Sequence, residues 1–239
     1  MRKEITIYQP WGGLGDNMAH TVIPELCRKY NIKCYLSNQN AYRNDNIYNF
    51  VWKNNPFLDG TKDCSDLTWV NKLRNYERAG MNHIEAIQRY YGFEIEHHYP
   101  ILYYKPNKID AYQNKTVLDL SAHSIGRDYD KNRLVKILEE LNLDEKTVTI
   151  THPNLNYGVT YSKETNFTEQ SVLSLEHYSD ILYSCKRFIT LHSGQACLAS
   201  TIKNQTKVDL EINVITTGRY LPENNVGYTF KNTTYIKAD

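Results

Sequence analysis

Two hydrophobic spacings alternate along the chain, and together they predict strands that are each followed by helices. Short apolar runs bounded by polar residues indicate strands, whereas apolar residues three or four positions apart indicate helices. The predicted strands span residues 4–9, 33–37, 116–120, 147–151, 187–191, 207–210 and 214–216. The predicted helices span residues 17–30, 83–91, 132–141, 174–184 and 197–202. Strands that alternate with helices in this way are typical of a parallel sheet with helices on both faces.

Two separate runs of alternating strands and helices occur along the chain, and each begins with a strand followed by a polar loop. This repetition predicts an α/β fold with two Rossmann-like parallel-sheet halves that face each other across a cleft. We place the first half at residues 1–113 and the second at residues 114–239. A single extended sheet is the alternative that the pattern leaves open. Because ligands of such sheets bind at the carboxyl ends of the strands, the loops after the predicted strands hold the candidate functional residues.

The first candidate loop is the run from Trp11 to Asp16, which contains three glycines in four positions. Glycines at this density allow a ligand or another chain segment to approach the backbone closely. The amides of Gly13 and Gly15, with the positive end of the following helix, favour an anionic ligand. The acid at Asp16 suits proton chemistry or a hydroxyl ligand, although it would also serve as a helix cap. The spacing matches neither a dinucleotide fingerprint nor a P-loop.

The second candidate loop follows the predicted strand 187–191 and opens a helix. Small residues expose the backbone there, and a hydroxyl stands next to a glycine. The amides of the helix start, together with the Ser193 hydroxyl, form an anion site suited to a diphosphate. The candidate ligands are Ser193, Gly194, Gln195 and Ala196. The alternative is an ordinary helix capped by the serine.

The third candidate loop follows the predicted strand 116–120. Arg127 can direct two guanidinium N–H groups at phosphate oxygens, and the Ser124 hydroxyl can donate a further hydrogen bond. His123 is a reserve candidate for a general base if Asp16 proves to be only a cap. A polar loop that happens to contain an arginine is the alternative interpretation.

Two further features carry weaker signals. His152 directly follows the predicted strand 147–151, where it could flank the base or ribose of a nucleotide. Asp128 and Asp130 form a D-x-D pair that could hold a divalent metal against a diphosphate. Their position just before a predicted helix favours capping instead. We therefore predict that the protein needs no metal and no other cofactor.

Composition and charge limit the possible partners. The formal net charge is +1, and no Lys/Arg-rich tract predicts a nucleic-acid partner. The five cysteines form no C-x-x-C pair, which indicates a reducing compartment and no structural zinc. No apolar run approaches the ~20 residues of a membrane span. We expect a cytoplasmic protein without a transmembrane segment.

The glycine loop and the segment 188–199 together resemble heptosyltransferase-like GT-B glycosyltransferases of family 9. In that family a glycine-rich Gly-Asp turn precedes a helix with a T-P-x-I-x-x-L type pattern, and the later motif D-[ST]-G-x-x-H-L-A holds the diphosphate of the donor. The matching residues are Gly12–Asn17, Thr21–Leu26, Ser193, Gly194, Leu198 and Ala199. His192 and Cys197 depart from the later motif, where the family has Asp and His. The same segment is similar to the donor motif of the α1,6-fucosyltransferase and NodZ group, with Ser193, Gln195 and Cys197 in register.

The resemblance implies a metal-independent inverting glycosyltransferase with an N-terminal acceptor domain and a C-terminal donor domain. Such an enzyme would move a sugar from a nucleotide-diphosphate donor to a hydroxyl of a glycan or lipid-linked acceptor, in surface glycan or polysaccharide biosynthesis. Asp16 would act as the general base. Two alternatives stay open. One is a nucleotide- or glycan-binding module without transfer chemistry, which the short chain and the two departures motivate. The other is a nucleotide-sugar epimerase.

Overall fold

The computed structural model describes residues 3–122, 129–153, 159–161, 165–224 and 227–239, with the backbone alone at 159 and 160. The chain divides into two compact units. The first comprises Met1–Tyr104 and Asn225–Tyr228, and the second comprises Lys105–Asn224 and Thr229–Asp239. The assignment of residues 1–113 and 114–239 to an acceptor and a donor domain stays a prediction.

In its described residues, the first unit contains a parallel three-stranded sheet and five helices. Its strands are β1 (Glu4–Ile7), β2 (Lys33–Ser37) and β3 (Thr61–Lys62), in the order β1-β2-β3. Its helices are α1 (Leu14–Ala19), α2 (Val22–Lys29), α3 (Asp45–Val51), α4 (Thr68–Arg78) and α5 (His83–Tyr91). Alternate residues of β1 and β2 are buried, as expected of strands that pack on helices.

Local sequence signals fix the ends of α5. The Asn82 side chain accepts hydrogen bonds from the backbone N–H groups of Ile84 and Glu85, and the Glu85 carboxylate accepts one from the Asn82 backbone N–H. This reciprocal arrangement satisfies amides that have no partner inside the helix. Gly92 ends the helix with a φ of +91°, a conformation that favours glycine. The predicted helix 83–91 is therefore confirmed at both ends.

The predicted helix 17–30 is wrong in one respect, because two helices occupy this segment. The first begins earlier, at Leu14, and the chain breaks at His20 and Thr21 before α2. Pro24 lies in the first turn of α2, where a missing N–H costs nothing, but inside one continuous helix it would remove a hydrogen bond. The Thr21 hydroxyl donates to the carbonyl of Met18 at 2.7 Å and satisfies one end of the broken helix.

The second unit contains a parallel six-stranded sheet. Its strands are β4 (Thr116–Asp119), β6 (Val148–Thr151), β8 (Thr168–Ser171), β9 (Arg187–Leu191), β10 (Glu211–Thr216) and β11 (Thr234–Lys237), in the order β11-β10-β9-β4-β6-β8. Two short strands, β5 (Ser121–Ala122) and β7 (Val159–Thr160), pair antiparallel. The helices are α6 (Lys131–Glu140), α7 (Leu175–Ser184) and α8 (Gly194–Thr206). Short 3₁₀ turns lie at Asp110–Tyr112, Gly218–Tyr220 and Pro222–Asn224.

The hydrophobic core of the second unit lies on the central strands. Leu118, Ile189, Leu191 and Ile215 are buried there together with Leu134 of α6. The predicted strand 214–216 is the second half of β10, which begins at Glu211 and pairs with β9 and β11, whereas the predicted strand 207–210 is wrong. Lys207, with a φ of +57°, ends α8, and the Leu210 N–H then donates to the Val208 carbonyl at 2.9 Å, so the chain turns here instead of joining the sheet.

The two parallel sheets confirm the predicted α/β fold class and rule out the single extended sheet. In the described ranges, no helix has the length and apolar character needed to cross a bilayer.

Candidate functional site

A buried glutamine shapes the glycine loop that follows β1. Gln9 is fully buried, and its side-chain oxygen accepts a hydrogen bond from the Trp11 backbone N–H at 2.7 Å. Its side-chain amide donates to the carbonyl of Asp16 at 3.1 Å. The Gln9 carbonyl in turn accepts from the Ala41 backbone N–H at 2.8 Å. One side chain therefore joins both ends of the loop.

Two of the glycines are required by contacts within the first unit. Gly12 has a φ of +70°, and a Cβ there would lie 3.2 Å from backbone atoms of Ala41 and Arg43. A Cβ on Gly13 would lie closer than 3.0 Å to the Asp16 carboxylate oxygen Oδ2. The atoms that closely approach the glycine backbone therefore belong to other residues of this chain. Gly15 is buried in the first turn of α1, and the predicted ligand contacts of Gly13 and Gly15 stay predictions.

Asp16 is the third residue of α1 and is half-buried. Gly13 occupies the capping position, where no side chain caps the helix. The Asp16 oxygen Oδ1 instead accepts a hydrogen bond from the Tyr228 hydroxyl at 2.6 Å. The carboxylate thus lies beside the positive end of a helix dipole and is held by a phenol. The capping alternative for Asp16 does not match this geometry.

The segment that carries Tyr228 is attached to α4 and α5. The backbone N–H of His83 donates to the carbonyl of Gly227 at 3.1 Å, and the Gly227 N–H donates to Glu77 Oε1 at 3.4 Å. The imidazole of His83 pairs with Glu77 and meets the Tyr228 ring edge-on, with centroids 4.8 Å apart. Burial by itself would raise the pKa of Glu77, but the hydrogen bond and charge of His83 lower it below the usual range.

A cluster of three aromatic rings contacts the backbone of Asp16 through His20. His20 Nδ1 lies 3.0 Å from the Asp16 carbonyl oxygen, and its ring meets Trp69 edge-on at 5.0 Å between centroids. Trp69 in turn meets Trp11 edge-on at 5.1 Å. Burial lowers the pKa of His20 to about 4, so its imidazole is neutral at pH 7. Trp11 is 41% exposed, whereas the other two rings are buried.

In the second unit, the predicted diphosphate loop lies at the start of α8. Ser193 is the capping residue, but its hydroxyl donates to the Leu191 carbonyl at 3.0 Å rather than capping the helix. The Gln195 side-chain amide donates to the carbonyl of Ser121 at 3.2 Å, which ties this helix to the loop after β4. His192, at the position of an acid in the resembling family, is buried and stacks on Tyr220 at 4.9 Å between centroids.

A hydrogen-bond network centred on Asp119 lies next to the start of α8, to which it is connected through Ser121. The fully buried Asp119 accepts from the Tyr178 hydroxyl at 2.6 Å, lies 2.8 Å from His152 Nε2, and is bonded by both the backbone N–H and the hydroxyl of Ser121. Burial would raise the pKa of Asp119, but the charge of His152 and these hydrogen bonds lower it below its usual value. His152 is thus a member of an internal network, and its contact with a nucleotide stays a prediction.

Sheet order brings several predicted residues of the second unit to one edge. Because β9, β4 and β6 are neighbours and parallel, the residues after their carboxyl ends lie along the same edge. This places Ser193, Ser121 and His152 near one another. The structure brings Gly194, Gln195 and Ala196 to the same place, in the first turn of α8.

Four of the predicted positions fall in the segment 123–128. His123, Ser124, Arg127 and Asp128 lie outside the described residues. The other half of the D-x-D pair, Asp130, accepts a hydrogen bond from a backbone N–H in the first turn of α6 at 3.0 Å, so its predicted role as a cap is confirmed.

Sequence reasoning missed Gln9, Tyr228 and Asp119. Gln9 was read as the last residue of a strand, and Asp119 as part of an apolar one. A buried amide or acid next to a polar loop is the signal that could have found these two residues. Tyr228 gave no local signal, because its partner is 212 positions away.

Comparison with known proteins relates the chain to glycosyltransferases through its fold. No protein-family model matches the sequence, and no curated protein sequence matches it either. The dodecameric iron-containing glycosyltransferase TibC from enterotoxigenic E. coli H10407 matches at a TM-score of 0.62 and 14% identity, over 100% of this chain and 63% of TibC. A family 9 glycosyl transferase from Veillonella parvula DSM 2008 matches at 0.56 and 11% identity, over 99% of this chain and 85% of that one.

The E. coli heptosyltransferase WaaC, solved with ADP, matches at a TM-score of 0.52 and 10% identity, over 100% of this chain and 94% of WaaC. At these identities the comparisons establish the fold, and they confirm the expected heptosyltransferase-like family 9 architecture. The chain spans less than two thirds of the length of TibC. TibC contains iron, but the described part of this chain has no group of three or more His, Cys, Asp or Glu side chains that could hold a metal ion.

Proposed function

From the fold it shares with these heptosyltransferases, we propose that the chain is an inverting, metal-independent glycosyltransferase. It would move a sugar from a nucleotide-diphosphate donor to an acceptor hydroxyl, in the synthesis of a surface glycan or polysaccharide. The observation that carries the proposal is the half-buried Asp16 carboxylate, which lies in the first turn of the helix after β1, in a fold shared with glycosyltransferases, and accepts a hydrogen bond from the Tyr228 hydroxyl.

Asp16 would supply the general base. Its oxygen Oδ1 accepts from Tyr228, which fixes the orientation of the carboxylate, and Oδ2 lies over the space left by the missing side chain of Gly13. The acceptor hydroxyl would transfer its proton to Oδ2 as its oxygen bonds to the anomeric carbon of the sugar. The bond from that carbon to the diphosphate would break on the opposite face, which inverts the configuration.

The second unit would bind the donor. Backbone N–H groups at Ser193, Gly194, Gln195 and Ala196 belong to the first turn of a 13-residue helix, whose dipole favours the negative charge that grows on the leaving diphosphate. Preorganised amides of this kind can do the work that a divalent cation does elsewhere. Ser124 and Arg127 would add contacts to the phosphate oxygens, as the sequence predicts.

The test is slow hydrolysis of a donor from a panel of UDP-, GDP- and ADP-sugars. Asp16→Asn should lower the turnover of the accepted donor by about 10²–10⁴ with little change in nucleotide affinity. Asp130→Asn is the matched control, because asparagine caps a helix as well as aspartate and the residue lies in the other unit. Near-normal turnover in Asp16→Asn would exclude the assigned role.

A binding module without transfer chemistry is the second candidate. Its motivation is His192, an imidazole that is buried against Tyr220 at the place where the resembling family has an acid. Nucleotide binding by calorimetry, with no hydrolysis of any donor in the panel, would favour the module over the enzyme.

A further inference from the structure

Four buried side-chain atoms in the described part of the first unit have no hydrogen-bond partner, and two of them, one a donor and one an acceptor, lie on rings that pack against each other. In the part of the chain that the structure describes, neither Trp69 Nε1 nor His20 Nε2 has a hydrogen-bond partner. Buried polar atoms are nearly always satisfied in folded proteins, so each such atom requires an explanation. Both lie in the aromatic cluster beside the Asp16 backbone.

The hydrogen-bonding character of each atom can be assigned. The Asp16 carbonyl can only accept, so the neutral His20 ring carries its hydrogen on Nδ1 and leaves Nε2 as an acceptor. Trp69 Nε1 is always a donor. A hydroxyl group both donates and accepts, so it has the two functions that these atoms require, and the two rings are neighbours with centroids 5.0 Å apart.

The third member of the cluster points to the rest of the ligand. Trp11 packs in a T-shaped arrangement against Trp69 and is 41% exposed, so part of this residue is left in solvent beside the buried pair. Exposed indoles in binding sites contribute flat apolar area together with a polar edge. A pyranose ring has the matching surface, because one face carries C–H groups and its rim carries hydroxyls.

We propose that Trp11, Trp69 and His20 form a carbohydrate subsite for the acceptor, in which a sugar ring stacks on Trp11 and one of its hydroxyls bridges Trp69 Nε1 and His20 Nε2. The assignment of this sugar as the acceptor rests on the proposed function, because the cluster adjoins Asp16. Because both atoms are buried, binding would require a shift of the cluster, and Trp11 is its exposed member. A serine hydroxyl of a peptide would satisfy the buried pair but would leave the indole face uncovered.

The three tryptophans of the chain allow a direct test with an internal control. Trp52 is buried, and its Nε1 donates to Asn17 at 2.9 Å, so its indole N–H signal should not respond to a ligand of the cluster. Titration of the full chain with millimolar methyl glycosides should shift the indole signals of Trp11 and Trp69 and leave that of Trp52 unchanged. The unprotonated nitrogen signal of His20 should move with them.

Trp11→Ala should weaken the affinity for the responding glycoside about tenfold. Tyr30→Ala is the matched control, because Tyr30 is an equally exposed aromatic residue of the same unit and should leave the affinity unchanged. Failure of every glycoside to shift the two indole signals, or equal shifts of all three, would overturn the subsite. A response to a serine-containing peptide alone would also overturn it.

Separate titration with ADP, UDP and GDP distinguishes this inference from the proposed function. Nucleotide binding and donor hydrolysis without any glycoside response would leave the glycosyltransferase in place and remove the subsite. A glycoside response without nucleotide binding would keep the carbohydrate subsite and remove the glycosyltransferase.

Discussion

Adding one methyl group at Gly13 should move the Asp16 carboxylate without unfolding the protein. The backbone of Gly13 has φ −73° and ψ +157°, values that alanine adopts without strain. The obstacle is the carboxylate alone, because a Cβ at Gly13 would lie closer than 3.0 Å to Asp16 Oδ2, while the nearest atom of Arg43 would be at an ordinary 3.6 Å. Gly13→Ala is therefore a displacement of one functional group.

The size of the displacement follows from the contact. Restoring an ordinary separation of 3.4 Å moves Oδ2 by more than about 0.4 Å, and rotation of the carboxylate also weakens the 2.6 Å hydrogen bond from Tyr228. Catalytic groups must be held within about 0.5 Å, and a misplacement of about 1 Å can cost roughly 10²-fold in rate. We expect donor turnover to fall tenfold to a hundredfold.

The assay pairs donor turnover with thermal unfolding. For Gly13→Ala the melting temperature should stay within about 2 °C of the parent value, since alanine adopts this backbone conformation and the atom that must shift is the end of a side chain. Gly12→Ala is the contrasting control: its φ of +70° and its 3.2 Å backbone contacts should cost about 1–3 kcal/mol of stability. Unchanged turnover in a folded Gly13→Ala would refute the argument that the glycine makes room for the carboxylate.

The remaining predictions concern stability. The pKa of His20 is lowered from 6.5 to about 4, so the unfolded chain binds a proton that the native chain does not, and stability falls as the pH drops below about 6.5. His20→Gln should abolish a loss of about 2–3 kcal/mol between pH 7 and 4.5, measured by denaturant unfolding; an equal loss in the variant would contradict the burial argument. Asp130→Ala should cost about 1 kcal/mol through the lost cap of α6, visible as a lower melting temperature, whereas Asp130→Asn should cost almost nothing. Asp119→Ala should destabilise the second unit by about 3–5 kcal/mol, because it leaves the buried His152 and Tyr178 groups without their carboxylate; the folded pKa of Asp119 lies below its unfolded value, so its contribution is present above about pH 4 and lost at lower pH.

The sequence predicted best those elements whose signals are local. Strand β9 and helix α5 have the predicted bounds, because the first is a continuous apolar run and the second is bracketed by a capping asparagine and Gly92. Helix α4 was missed, since only Trp69 and Leu73 of its residues are buried and its apolar stripe is too narrow to stand out. Strand β8 was missed for a related reason: it lies at a sheet edge and its residues are polar.

The candidate site divides in the same way. The glycine loop and the start of α8 could be located, because glycines and hydroxyls next to a strand end are visible in a single sequence. The residues that bond to the acids of the site could not be predicted. Tyr228 reaches Asp16 and Tyr178 reaches Asp119 across long separations in the chain, and no periodicity records such a contact.

The return of Gly227 and Tyr228 to the first unit has a consequence for the order of synthesis. Roughly 120 residues separate the end of the main part of that unit from Tyr228. At about 5–20 residues per second, a ribosome needs roughly 6–25 s to add them. During that interval the nascent chain can fold around the glycine turn, although Tyr228, whose hydroxyl bonds to the Asp16 carboxylate, has not yet been added. The hydrogen bond to Asp16 therefore cannot form until Tyr228 has been added to the chain, and a nonsense codon anywhere before position 228 removes it.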